Sequence, residues 1–238
     1  MEYYYTKSAN VDLDNDRLIV DGFEHKHLVK VLRKKAGDTL KITDGARNIY
    51  DCKIVKISED KIICDILGKY FNLYEPEINL HLYIAPLRNS ARFEFAVEKA
   101  VELGVGTINL LSTEFTINKS SFSGTKLERL SKIIISAMGQ SQRCFLPELK
   151  NVDSFGEMLT STKNAPNKIV MYEYADSTVK SGTDKSKKEI SLLIGPEGGF
   201  SKQEINMLLN ANWQMHSLGN RKIRSETAAI VSIFELVK

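Results

Sequence analysis

The chain has 238 residues, 42% hydrophobic, with 33 Lys and Arg against 30 Asp and Glu for a net charge of +3, which suits one large or two modest domains with real cores. No apolar run approaches the roughly 20 residues of a membrane span, and Met1-Glu2-Tyr3-Tyr4-Tyr5 lacks the basic and apolar regions of a signal peptide. Three cysteines, Cys52, Cys64 and Cys144, are odd in number and without ligand spacing; they suggest a reducing cytoplasm and argue against a zinc site.

Residues 1–73 read as β-rich. Strands are expected at Leu18–Val20, Thr39–Thr43, Ile49–Ile57 and Lys61–Leu67, with turns at Asp44-Gly45 and Glu59-Asp60. The run Tyr3, Tyr4, Tyr5 reads as the anchor of a first strand rather than as a base-stacking surface. A helix is expected over Phe23–Lys35, with Lys26, Lys30, Arg33 and Lys34 on one face and Leu28, Val31 and Leu32 on the other. Such a face is either a solvated surface or a phosphate-binding stripe, and the absence of a carboxylate on it favours phosphate.

Tyr74-Glu75-Pro76 interrupts both periodicities and marks a boundary, so that a second domain is expected over 77–238. Apolar runs then alternate with helical patterns, the rhythm of a parallel sheet with crossovers. Strands are expected at Leu80–Ala85, Thr107–Leu111, Lys168–Tyr172, Ile190–Ile194 and Gln214–Leu218. Helices are expected at Ala91–Leu103, stopped by Gly104, and at Leu127–Gln142 and Thr227–Val237. Asn118–Thr125 and Asp176–Lys188 read as polar loops, and there is no internal repeat.

Two stretches concentrate the chemistry. Leu192-Leu193-Ile194 runs into Gly195-Pro196-Glu197-Gly198-Gly199-Phe200-Ser201, where Ser201 is a good N-cap and Glu204 stands at the capping-box spacing. Leu218-Gly219-Asn220-Arg221-Lys222-Ile223-Arg224-Ser225-Glu226-Thr227-Ala228 again takes an apolar segment through glycine and a polar loop into a helix start. Paired strand-to-helix loops of an α/β domain are where a ligand is expected. The pocket is expected to use Ile194, Gly195, Gly199, Leu218, Gly219, Ile223, Arg224, Ser225, Thr227 and Ala228, with Tyr172 and Glu173 at the neighbouring strand exit. No Gly-Lys-Ser/Thr and no Gly-x-Gly-x-x-Gly is present, which disfavours an NTPase or a nicotinamide enzyme. His25, His27, His81 and His216 are scattered without ligand spacing, so no metal site is expected.

The two stretches together resemble the signature of the knotted SPOUT methyltransferases, and among these the ribosomal RNA small subunit methyltransferase E family. The resemblance extends to His27-Leu28-Val29-Lys30-Val31-Leu32-Arg33, Lys99-Ala100-Val101-Glu102-Leu103-Gly104-Val105, and Gln140-Ser141-Gln142-Arg143 with Pro147-Glu148. It implies a small PUA-like RNA-binding β-barrel followed by an α/β parallel-sheet domain whose C-terminal chain threads a trefoil knot. It also implies a homodimer that uses S-adenosylmethionine to methylate N3 of a uridine in 16S rRNA or the small ribosomal subunit. RNA contacts are then expected from Lys26, His27, Lys30, Arg33, Lys34, Arg143 and Arg221. Departures from the family pattern stand at Phe115 and Lys222, where an arginine and an apolar residue are usual, and at Arg88, where a lysine is usual.

Methyl transfer from a sulfonium is mainly a matter of in-line positioning. The uridine imide must also lose its proton, so a cation near the base carbonyls and a proton acceptor are needed. Arg224 is the candidate cation, and Glu197, Glu226 or water are alternatives for the acceptor. Other readings are a SPOUT enzyme acting on another base or on a ribose 2'-hydroxyl, and a non-catalytic RNA-binding protein.

Overall fold

The computed structural model describes residues 2–117, 124–175, 184 and 186–238. Most of the expected loops Asn118–Thr125 and Asp176–Lys188 lies outside the described residues. The chain forms two compact units, Met1–Glu75 with Ile135–Leu146, and Pro76–Ile134 with Pro147–Lys238.

The first unit is a six-stranded sheet in the order β1 (Tyr3–Tyr5), β4 (Thr39–Thr43), β5 (Asn48–Ile57), β6 (Lys61–Phe71), β3 (Arg17–Asp21), β2 (Val11–Asp12). Only the β1–β4 pair is parallel. Register shifts in the β5–β6 ladder bend these two long strands. Thr6 ties the β1 end back to β3, donating its N–H to Thr43 O and its hydroxyl to Ile19 O, so the sheet curls as a barrel. Inward Leu18, Val20, Leu40, Ile42, Tyr50, Ile54 and Ile62 fill it. Tyr3 and Tyr4 are buried, as an anchoring strand requires. Burial pushes the thiols of Cys64 and Cys144 up to about 12 and about 11, and Cys52 higher still, so all three are inert.

The basic helix departs from expectation. Its α-helical part, α1, is Gly22–Lys26; His27–Val31 then forms a π turn. Arg33 takes a left-handed φ of 53°. The Lys34 N–H closes the end on Leu28 O, six residues back, one residue wider than the usual helix stop as the π turn requires. The wider π turn rotates the following residues off the α-helical wheel. Leu28 is buried, but Val31 is 65% exposed and Leu32 40% exposed. Lys26, Lys30 and Arg33 are exposed and Lys34 is half-buried, so the cations do not form one helical stripe. On α1, burial, with the Glu2 carboxylate nearby, pushes the Glu24 carboxyl up to about 7.

Arg143 also requires correction. It is buried, and its guanidinium donates to Glu75 Oε2 from Nε at 3.1 Å and from Nη2 at 2.7 Å. The other Glu75 oxygen accepts the N–H groups of Cys144 and Phe145. With both side chains nearly inaccessible, Arg143 cannot face RNA. It pins 135–146 to the rest of the first unit.

The second unit is a six-stranded sheet, parallel throughout: β12 (Gln214–His216), β10 (Asn167–Met171), β11 (Glu189–Ile194), β7 (Asn79–Ile84), β8 (Thr107–Leu111), β9 (Glu148–Val152). The apolar stretches Leu82–Ala85, Leu110-Leu111, Ile169-Val170 and Leu192–Ile194 are buried, as in a parallel sheet covered on both faces. Helices α2 (Ser90–Glu102), α4 (Phe155–Ser161), α5 (Lys202–Asn210) and α6 (Ser225–Val237) belong to it, as does α3 (Gly124–Gln140) as far as Ile134. Asn89 caps α2 by accepting from the N–H groups of Ala91 and Arg92. Its buried face, with Phe93, Val97, Ala100 and Val101, is the expected one. Two elements were not expected: β9, a polar edge strand, and α4, barely two turns long. Among the described residues no helix is long and apolar enough to cross a membrane.

Removing one partner of a buried ion pair strands the other charge, which costs about 3–5 kcal/mol. Arg143→Ala is therefore expected to lower unfolding stability by that amount, measured by denaturant titration. A loss below about 1 kcal/mol would show that the pair is not a pin.

Candidate functional site

Because β12, β10 and β11 are neighbours and parallel, their exits emerge side by side at one edge of the sheet. The β10 exit contributes Tyr172, Glu173 and Tyr174, and the β11 exit Gly195 to Phe200. The β12 exit contributes Ser217, Leu218, Gly219 and 221–226, with Ala228 from the first turn of α6. They line one cleft of about 540 Å³, the size of a small-molecule site.

Of the residues expected at the pocket, Tyr172, Glu173, Ile194, Gly195, Gly199, Leu218, Gly219, Ile223, Arg224, Ser225 and Ala228 all line this cleft. Thr227 does not: on α6 it is exposed, turned away from the face that Ser225 and Ala228 share three residues apart. Arg92, Tyr174, Phe200 and His216 line the cleft without having been expected there. Arg92 comes from α2, far away in sequence, and no local pattern announces it.

The glycines act in different ways. Gly199 has φ +69° and Gly219 φ +102°, and a Cβ on either would meet open space. They are needed for their left-handed backbone. Gly195 is a close-approach position, since a Cβ there would come within 2.9 Å of the Phe200 ring. The expected capping box is present: Ser201 Oγ accepts the Glu204 N–H at 3.2 Å, and Glu204 Oε2 accepts the Ser201 N–H at 2.9 Å.

The carboxylates are engaged. Glu197 accepts the Arg88 N–H at 3.0 and 3.3 Å, which latches the β11 exit to the β7 exit. Glu226, buried, lies 3.7 Å from Arg92 Nε and 3.9 Å from Arg224 Nη1, so a single oxygen serves two guanidinium groups. Arg224 itself is 66% exposed at the side chain. Arg221 lines the cleft and is exposed, and Lys222 reaches Glu173 at 3.8 Å across its rim. His216 buries its Nδ1 with no partner among the described residues, an orphaned polar atom in the cleft wall. Bare glycine backbone, the apolar side chains of Ile194, Leu218 and Ile223, and this unpartnered nitrogen fit a nucleoside-like ligand.

Residues 74–236 match the family model of an RNA methyltransferase domain, and residues 21–67 that of an RNA methyltransferase PUA domain. The ribosomal RNA small subunit methyltransferase E of Buchnera aphidicola (subspecies Acyrthosiphon pisum) is 31% identical over 94% of this chain and 89% of its own length. That of Mesomycoplasma hyopneumoniae is 32% identical over 78% and 81%. A Legionella pneumophila putative methyltransferase, solved in complex with S-adenosylmethionine, superposes with a TM-score of 0.89 at 26% identity, covering 98% of this chain and 96% of that one. The chain thus belongs to the RNA methyltransferase family that includes ribosomal RNA small subunit methyltransferase E.

Proposed function

We propose that this protein transfers the methyl group of S-adenosylmethionine to N3 of a uridine in 16S rRNA, acting in the cytoplasm. The observation that carries this reading is the convergence of two glycine-bearing strand exits on one cleft that also holds Arg224, in a chain of this family. The cofactor supplies an already activated methyl group. Ile194, Leu218, Ile223 and Ala228 would hold its apolar parts, while Gly199 and Gly219 let the backbone approach. Arg224 offers a cation to the charge that develops on the uracil carbonyls, and Glu226 orients it. Glu197 is occupied by the Arg88 N–H and Glu226 by two guanidinium groups, which favours water as the proton acceptor.

The test is incubation with labelled cofactor and ribosomal RNA or small subunits, followed by mapping of the modified nucleoside. Label at a ribose, or at another base, would overturn the assignment. Gly199→Val, which forces a β-branched residue into a left-handed backbone, is expected to abolish cofactor binding in a folded protein, whereas Gly199→Asn retains it. Equal cofactor affinity of Gly199→Val and the parent in calorimetry would remove the glycine loop from the site.

The family resemblance further supports a C-terminal knot and a homodimer. After β12 at the sheet edge, α6 returns to pack on α2 and β11, and this return supports the knot reading. Ile223, Val231 and Phe234, on and just before α6, expose apolar surface suited to a second copy. A sedimentation coefficient of a monomer at micromolar concentration would reject the dimer.

For RNA, we assign phosphate contacts to Lys26, His27, Lys30 and Arg33 of the first unit. Phosphate contacts position without specifying sequence. Lys26→Glu with Lys30→Glu, both exposed positions, should weaken RNA binding alike for many sequences and shallow its salt dependence by about 0.7–0.9 per lost contact. Cofactor affinity should stay constant, because every cleft residue belongs to the second unit. Arg224→Ala should do the reverse, keeping RNA affinity and losing about a hundred-fold or more in turnover. Parent-like RNA binding by the double variant at all salt concentrations would leave those side chains merely solvated.

A further inference from the structure

Beyond the cleft, the β8 exit carries a feature that the reaction scheme has not used. Thr113, Glu114, Phe115 and Thr116 form a tight turn. The Thr113 N–H donates to Thr116 Oγ1 at 2.9 Å, and the Thr116 N–H donates back to Thr113 O at 3.2 Å. Both threonines are buried, and the Glu114 N–H is held by Glu204 Oε1 at 2.8 Å. The turn is thus fixed from within, and its apex points Phe115 at solvent, 44% exposed. Turn apices ordinarily carry Gly, Asn, Asp, Ser or Pro; here an immobilised backbone presents an aromatic face.

The location gives that face a use. In the sheet, β11, β7 and β8 are adjacent and parallel, so their exits lie in a row. Gly198 of the β11 exit lines the cleft, and a Cβ added to it would come within 3.0 Å of Phe115 Cβ. Between these strands, the exposed Arg88 is fastened to Glu197 through its N–H. These neighbouring exits thus present bare glycine at the cleft, a cation and an aromatic ring.

We propose that Phe115 is the residue on which an unpaired RNA base stacks when the target nucleotide enters the cleft; the inference rests on the RNA methyltransferase reading above. A base that is to be methylated at a ring nitrogen must leave its stack. Single-stranded RNA is held by stacking on aromatic faces and by cations on its phosphates. Stacking tolerates any base, so Phe115 contributes affinity and positioning rather than sequence choice.

The test compares Phe115→Ala, Phe115→Leu and Phe115→Trp in the full chain. Alanine keeps the Cβ that touches Gly198 and removes only the ring, so cofactor affinity should equal the parent's and report an intact loop. Phe115→Ala and Phe115→Leu are expected to raise the KM for RNA about ten-fold with the salt slope unchanged, and Phe115→Trp to restore the parent value. Arg88→Ala, by contrast, should shallow the salt slope. An unaltered KM in Phe115→Ala, or full rescue by leucine, overturns the stacking assignment. If the parent itself transferred no methyl group to RNA, the methyltransferase reading would fail. Stacking would then be decided by RNA affinity alone, where a parent-like Kd for Phe115→Ala refutes it and a weakened one supports it.

Discussion

Much of the site hangs on the carboxylate of Glu204. It is buried on the first turn of α5 and accepts the Ser201 N–H with one oxygen and the Glu114 N–H with the other. Two backbone donors and the helix N-terminus together compensate the burial of its charge. The consequence is geometric. The glycine loop that leaves β11 cannot drift away from the turn that leaves β8, because a single side chain holds the end of one and the middle of the other. Glu197 repeats the device one strand nearer, on the Arg88 N–H. Glu114 and Glu204 stand 90 residues apart and Arg88 and Glu197 109, yet carboxylate-to-backbone bonds hold these loops in register.

Those bonds bear on the positions where the chain departs from the family resemblance. The latch from Glu197 uses the backbone of Arg88, so the latch itself does not depend on which cation stands there. Phe115 contributes its amide neighbour and its Cβ to the packing, and leaves its ring free to differ in chemistry from an arginine. Lys222 pairs with Glu173 at 3.8 Å, but its side chain is 80% exposed, and such a pair adds little to stability. Its effect falls on the charge at the cleft mouth.

Sequence patterns carried the parallel sheet, the capping box and most of the cleft, because these are written in short-range terms: apolar runs, glycine at strand exits, serine three residues before glutamate. What they could not carry depends on partners distant in the chain. Arg143 looks like a free cation until Glu75 is brought to it. Arg92 looks like a helix-surface residue until Glu226 is. The basic segment was misjudged for another reason: a helical wheel assumes 3.6 residues per turn, and the π turn at His27–Val31 breaks that assumption within the window. β9 and α4 escaped because a polar edge strand and a two-turn helix have too few apolar positions to show a period.

The charge arrangement at Arg224 bears on how the cleft would act. Two guanidinium groups lie 3.7 and 3.9 Å from one carboxylate oxygen, so the group retains a net positive charge while Glu226 draws both cations toward it. An isolated arginine on a loop would have to be ordered at the moment of reaction. One paired only to its own carboxylate would be neutralised. Sharing Glu226 with Arg92 lessens both, since the anion biases where Arg224 stands and the surplus charge remains for the substrate. For the proposed reaction the cleft must offer positive charge to a developing uracil anion, and Arg224, with Arg221 and Lys222 on the same loop, supplies it just before α6.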